Sequence, residues 1–238
     1  MTASPIATMF DEISPKYDTL NHLLSFDVDK MWRRKTARLV AQHQPQTILD
    51  VATGTADLAL ALSRQNPKAY IVGVDISEKM LELGKAKITQ KALGNQIELQ
   101  WADATSLPFS ECSFDAVTVA FGVRNFSHLE AGLREMVRVC RNQGLIAVLE
   151  FSHPTHFLIR TPYQWYSRWW IPKVGRKVSR HPEAYSYLPS SVEAFPSGKA
   201  FVAKLEQAGV KDVRTRSFNG GIATLYYGHV QKSDPLSQ

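Results

Sequence analysis

The chain has 238 residues, 44% of them hydrophobic and 21% charged. That is long enough for one large α/β domain and too apolar for a disordered chain. The formal net charge of +6 permits attraction to nucleic acid or anionic lipid. The two cysteines, Cys112 and Cys140, have no metal-ligand spacing and make no disulfide framework, and a reducing cytoplasm fits them. No apolar run reaches the length of a membrane-spanning helix, and the start MTASPIATMF lacks the pattern of a signal peptide.

Residues 1–8 read as a frayed end. Residues 9–42 are polar and aromatic and read as mostly helical, an amphipathic pair covering the sheet edge with Trp32 as an anchor. Tyr17, Asp18, Asn21 and Ser25 recur at helical spacing and share one polar face. Such a face is either solvated or a flap over a cleft. From 47 to 151 strands alternate with helices: TILDV and DLALALSR, YIVGVD and EKMLELGKAKI, IELQW, FDAVTVAFG and LEAGLREMVRVC, then LIAVLEFS. This alternation predicts a parallel sheet with helices on both faces.

The stretch TILDVATGTADLAL organises the rest. A strand, a small-residue turn over Ala52 to Ala56 and a helix open a Rossmann-like sheet. Gly54 lets backbone approach a ligand. A dinucleotide site wants G-x-G-x-x-G, but only Gly54 is present, between Asp50 and Asp57. Carboxylates suit a cationic ligand better than a diphosphate. S-adenosylmethionine (SAM) carries an ammonium and a sulfonium and has no phosphate. Asp75 ends the second strand about 20 residues beyond the turn, where a nucleotide fold places its ribose acid. It also suits the N-cap region of the next helix. Asp103, after IELQW, can accept from an adenine amino group. The three positions belong along one crevice, so a SAM-dependent methyltransferase is favoured over a dehydrogenase.

Beyond 151 the composition changes. Residues 153–190 pack three tryptophans and four tyrosines among basic side chains. Trp165, Trp169 and Trp170, with Arg160, Arg168, Lys173, Arg176, Lys177 and Arg180, suit a lid that meets a lipid tail and anionic headgroups. A closed core with a solvated basic face is the plainer reading. SVEAFPSGKAFVAKLEQAGV returns to helix, and two strands joined at Asn219-Gly220-Gly221 close the sheet as a hairpin.

Certain blocks carry a family likeness: MFDEISPKYDTLNHLLS with MW, LDVATGTADLA, GVDIS with KMLELGKAK, LPFSECSFDAVTVAFGVRNF, REMVRVC, LEFS and YLPSSVEAFP. Through them residues 9–230 resemble the ubiquinone and menaquinone C-methyltransferases, and more closely the demethylmenaquinone methyltransferases. The resemblance implies a class I SAM-dependent methyltransferase. Its fold is a Rossmann-like, mostly parallel seven-stranded sheet ending in an antiparallel hairpin. One domain over 1–238 would hold a flap at 9–42, a SAM-binding core at 47–151, a substrate lid at 153–190 and a C-terminal helix and hairpin at 191–232.

The resemblance assigns SAM to Thr55, Asp75, Asp103 and Ala104; the turn and strand ends themselves add Asp50, Thr53, Gly54 and Ile76 as candidates. Ala120 stands where the family carries a serine and lacks that hydroxyl. A KPGG turn is replaced by Arg141-Asn142-Gln143-Gly144, read as a surface turn. The histidine that ubiquinone-making relatives carry near the C-terminus is matched by Tyr226, and the histidine often preceding the N-terminal tryptophan by Asp29, which weakens a ubiquinone substrate.

The implied acceptor is a reduced, prenylated naphthoquinone met at the membrane surface, with the protein peripheral to the inner face of the cell membrane. Nucleic acid is not expected, because VAFGVRN stands where an amine-binding Asn-Pro-Pro-Tyr sequence would lie. Homodimerisation and the acceptance of benzoquinols stay open. A quinol carbon becomes nucleophilic when its hydroxyl loses a proton. Arg124 and Asn125 follow the fourth strand, and the arginine can stabilise the phenolate, being too basic to act as the base. Its other reading is an ion pair with an acid such as Asp18. Tyr17 and Asn21 are candidates to orient a water. Asp27, Asp29, His22 and His153 are lesser candidates for the base, and no metal cluster is evident. A sterol, a small phenol or a non-catalytic SAM-binding role are the rivals.

Overall fold

A computed structural model describes residues 6, 8–12, 14, 27–152, 154 and 190–232. The flap residues Tyr17, Asp18, Asn21, His22 and Ser25, together with His153 and the basic aromatic segment 157–180, lie outside the described residues.

The first strands coincide with the apolar runs that predict them. β1 is Thr47–Val51, β2 Tyr70–Asp75 and β3 Ile97–Trp101. They alternate with α2 (Asp57–Gln65) and α3 (Glu78–Gln90), after α1 (Val28–Ala41). β4 (Phe114–Ala120), a short 3-10 turn (Val123–Asn125), α4 (Leu129–Val139) and β5 (Cys140–Phe151) follow. α5 (Lys199–Ala208), β6 (Val210–Phe218) and β7 (Ala223–Val230) complete the chain. The seven strands run in the order β3-β2-β1-β4-β5-β7-β6. β1 to β5 pair in parallel, and β7 runs antiparallel to both β5 and β6. The mostly parallel α/β sheet with its closing hairpin is therefore present.

Two apolar layers cover the sheet. One joins Trp32, Val40 and Leu62 to Ile48, Leu149 and Leu225. The other joins Met136, Phe201 and Leu205 to Leu49, Val117 and Tyr226. Alternate residues of each strand face opposite layers, so Ile48 and Leu49 serve different ones. This places α1 on a sheet face beside α2, not at the sheet edge that its amphipathic pattern suggested. The edges are β3 and β6. Trp32 is buried, and its Nε1–H donates to Asn219 Oδ1 at 2.9 Å, tying α1 to the hairpin turn.

Three local expectations change. Arg141 to Gly144 belong to β5 and not to a turn, with Gln143 at φ 63 and a register shift against β4. β4 ends at Ala120, two residues early, because Phe121 adopts φ 59 and the chain leaves the sheet there. The stretch from 191 to 210 is interrupted at Phe195 to Ser197, between the helical residues 190–194 and α5, since Pro196 has no N–H to continue a helix.

Candidate active site

β1 and β4 are neighbours although β2 and β3 lie between them in the chain. Crossovers leave this pair toward opposite sides, which opens a crevice at the carboxyl ends of the strands. A cleft lies there. It is lined by Asp50 and the turn Ala52 to Thr55 from β1, by Asp75 and Ile76 from β2, by Ala102 to Ala104 after β3, and by Ala120 to Gly122 at the end of β4. Asn125, Phe126 and Ser127 close one side, and Ile6 and Phe10 from the N-terminal residues line it as well. Every position that the sequence singles out for the cofactor (Asp50, Thr53, Gly54, Thr55, Asp75, Ile76, Asp103, Ala104 and Ala120) borders this one cleft.

The turn is held by side chains and an unusual backbone. Ala52, Gly54 and Ala56 have φ of 51°, 56° and 66°. Only at Gly54 is that conformation free of a Cβ penalty, and a Cβ there would meet nothing within 4 Å, so the backbone at this point faces open space. At Gly122 the reason for glycine is contact, because a Cβ would lie 2.6 Å from the Ala52 Cβ.

Asp50 is 1% exposed. Its carboxylate accepts from Thr53 Oγ1 at 2.7 Å and from Thr118 Oγ1 at 2.8 Å. Burial pushes its pKa up to about 6, against the two hydroxyls and the more distant Arg33, which lower it. Asp75 accepts from the N–H of Gly54 at 2.8 Å and of Ser77 at 2.9 Å. Burial raises its pKa and these N–H groups oppose the rise. The cap of α3 is Ser77, whose Oγ accepts from the Met80 N–H at 3.2 Å, so Asp75 is left to the cleft. Asp103 Oδ1 accepts from both N–H and Oγ1 of Thr105 at 2.8 Å. Lys87 Nζ donates to Thr55 Oγ1 at 2.8 Å and to Asp57 Oδ1 at 2.7 Å.

Arg124 is placed differently from the cofactor set. It does not border the cleft, whereas Asn125 does. Its partner is Glu150 and not Asp18: Nη1 donates to Glu150 Oε1 at 2.8 Å, and Nε donates to Ser191 Oγ at 3.3 Å. Nη1 also donates to the Phe121 carbonyl. The Arg124 and Glu150 side chains are 6% and 0% exposed. Nη2 has no hydrogen-bond partner among the described residues. Glu150 is the functional neighbour that residue-by-residue reading missed, and its only signal was membership of the LEFS block.

The lesser base candidates are engaged elsewhere. Asp29 is buried and pairs with Arg33, and exposed Asp27 pairs with Lys30 at 2.7 Å. Tyr226, which stands where relatives carry histidine, is fully buried in β7. Its hydroxyl accepts from the Gly198 N–H at 2.8 Å, and it does not border the cleft. Cys140 is buried with its thiol pushed up to about 12 by desolvation, in keeping with a packing role. Among the described residues no His, Cys, Asp and Glu grouping could hold a metal, and no helix is long and apolar enough to cross a membrane.

The mostly parallel seven-stranded sheet closed by an antiparallel hairpin is the fold of the class I SAM-dependent methyltransferases. A SAM-dependent methyltransferase of Thermotoga maritima shares the fold at TM-score 0.62 and 17% identity, covering 94% of this chain and 99% of that one. Residues 2–230 match the ubiE/COQ5 methyltransferase family, and the chain belongs to it. A demethylmenaquinone methyltransferase of Bacteroides fragilis is 41% identical, covering 93% of this chain and 90% of that protein. A ubiquinone/menaquinone biosynthesis C-methyltransferase of Citrifermentans bemidjiense is 44% identical, covering 94% and 95%. The protein is thus a methyltransferase whose methyl donor is SAM.

Proposed function

We propose that the chain methylates a ring carbon of a reduced prenylated naphthoquinone, converting a demethylmenaquinol to a menaquinol, with SAM held in the cleft of β1, β2 and β4. The observation that carries the cofactor part is the donor set. Asp50, Asp57, Asp75 and Asp103 border the cleft, and neither a glycine triad nor a cluster of cations suits it to phosphate. SAM fits such a site through its ammonium, sulfonium and ribose hydroxyls, and supplies an electrophilic methyl. Asp75, fixed by two N–H groups, is oriented to accept from the ribose hydroxyls. Asp103 and Ala104 border the adenine, and Ile76 packs beside it. Asp50, Thr53, Gly54 and Thr55 surround the methionyl part, and Ala120 gives it a wall without a hydroxyl.

The acceptor reading draws on the naming of the Bacteroides and Citrifermentans relatives. An oxidised quinone ring is electron-poor. In the quinol, loss of a hydroxyl proton gives a phenolate whose ortho carbon attacks the methyl in line. The sulfonium is discharged, the ring carbon then loses its hydrogen as a proton to restore aromaticity, and the phenolate oxygen takes a proton back, so that one proton is released in all. The protein supplies position and an oxyanion donor. Arg124 is the proposed donor: Glu150 and Ser191 lock the rest of its guanidinium, and Nη2 is left for the phenolate. Asn125 borders the cleft beside it. Tyr17 and Asn21 are proposed to order a water that takes the proton, and the segment 157–180 to meet the lipid tail at an anionic membrane surface.

Methyl transfer from labelled SAM to a demethylmenaquinone is expected with a reductant present and not without one. Equal rates with the oxidised quinone would contradict the chemistry. Transfer to benzoquinol alone would move the acceptor assignment to the ubiquinone side.

A further inference from the structure

The cleft has four carboxylates on its rim but only one cation among the described residues that line it, Arg33 of α1. Three observations make that cation a built feature. Asp29, one helical turn earlier, pairs with Arg33 Nη1, and the Arg33 and Asp29 side chains are only 11% and 4% exposed. The guanidinium carbon lies 5.2 Å from the centre of the Phe121 ring, within the range for a cation over an aromatic face. Phe121 is carried there by its left-handed backbone at the end of β4. Arg33 Nε and Nη2 have no hydrogen-bond partner among the described residues. One edge of the guanidinium is therefore anchored and the other has donors left over.

SAM has one anionic group, its methionyl carboxylate. The ammonium and sulfonium suit the acids, but the carboxylate would be repelled by them and needs a cation. We propose that Arg33 binds the carboxylate of SAM, with Asp29 and Phe121 as its positioning residues. This rests on the reading that the cleft holds SAM. A fork of N–H donors is the geometry that a carboxylate accepts best. The arrangement makes Arg33 a specificity determinant: it selects a donor that retains its amino-acid carboxylate. It also gives α1 a task beyond covering the sheet face, since the helix that buries Trp32 presents the next side chain to the cofactor.

The test is calorimetric titration of the wild type, Arg33→Met and Arg33→Lys with SAM and with decarboxylated SAM. The analogue keeps the nucleoside, sulfonium and ammonium and lacks only the carboxylate. Arg33→Met should weaken SAM about ten- to a hundredfold, the range for a hydrogen bond to a charged group, and leave the analogue unchanged. The wild type should prefer SAM, the Met variant should lose that preference, and the Lys variant should keep part of it. Equal losses for both ligands would mean that Arg33 only supports the fold, and would overturn the proposal. So would a Met variant that still prefers SAM as the wild type does. If Arg33→Met does not fold, the Lys variant decides: an undiminished preference for SAM overturns the assignment. A wild type that binds neither ligand overturns the cleft reading itself, and so separates that failure from the failure of Arg33.

Discussion

Two buried acids flank β4 and are held in opposite ways. Asp50, on β1, is surrounded by neutral donors, the hydroxyls of Thr53 and Thr118. Glu150, on β5, is held by a cation, Arg124, which rises from the 3-10 turn after β4. Hydroxyls satisfy a carboxylate without neutralising it. Burial raises the pKa of both acids, that of Asp50 to about 6, and Asp50 has no cation bonded to it among the described residues. The charge of Asp50 remains available to a cationic ligand in the cleft. The charge of Glu150 is instead matched inside the protein, where it fixes the orientation of Arg124. The same residue chemistry thus makes a cleft-lining group on one side of β4 and a framework group on the other. The nature of the donor decides which.

The comparison breaks most visibly at Glu150. Glu150→Ala leaves a buried arginine without its partner and should cost about 3–5 kcal/mol in urea unfolding. Replacing both groups, as Arg124→Met with Glu150→Leu, should recover most of that stability while turnover stays low. A single-variant loss under about 1 kcal/mol would mean that the pair is not a framework element.

Asp50 should show the reverse behaviour. Its folded pKa, about 6, lies above the ordinary 3.8. Between these values the folded state binds more protons than the unfolded state, so this group lowers stability as pH rises through the window. Asp50→Asn removes that loss. The variant should gain on the wild type as pH rises from 3.8 to about 6, reaching up to about 3 kcal/mol above it. The same change should weaken SAM binding and flatten its decline below pH 6. Parallel stability curves for the two proteins would remove the special status of Asp50.

Asp75 sharpens the contrast further, because its donors are backbone N–H groups. Asp75→Ala should weaken SAM by about 1.5–3 kcal/mol in calorimetry. Unchanged affinity with the fold intact would take the ribose role away from it.

Strand and helix positions were legible because they are local. TILDV, YIVGVD and IELQW are short apolar runs between polar helices, and their bounds hold to the residue. The acids at the ends of β1 and β2 and after β3 were legible too, since a parallel sheet with right-handed crossovers gathers strand ends on one side. Local pattern does not carry strand order. That β1 lies against β4, which lets Thr118 reach Asp50 across 68 positions, was settled by pairing between distant segments. The same holds for Arg124, whose acid partner the sequence left open and the packing of β5 beside the 3-10 turn supplied as Glu150. It holds for Arg33 as well. Its helix looked like a cover for the sheet edge, and only burial of Trp32 on the sheet face, beside Phe121, turned the neighbouring arginine into the cleft. Periodicity tells which face of an element is apolar. Which surface that face meets is a property of the assembled layers, and in this protein it decides where the charged side chains of the site point.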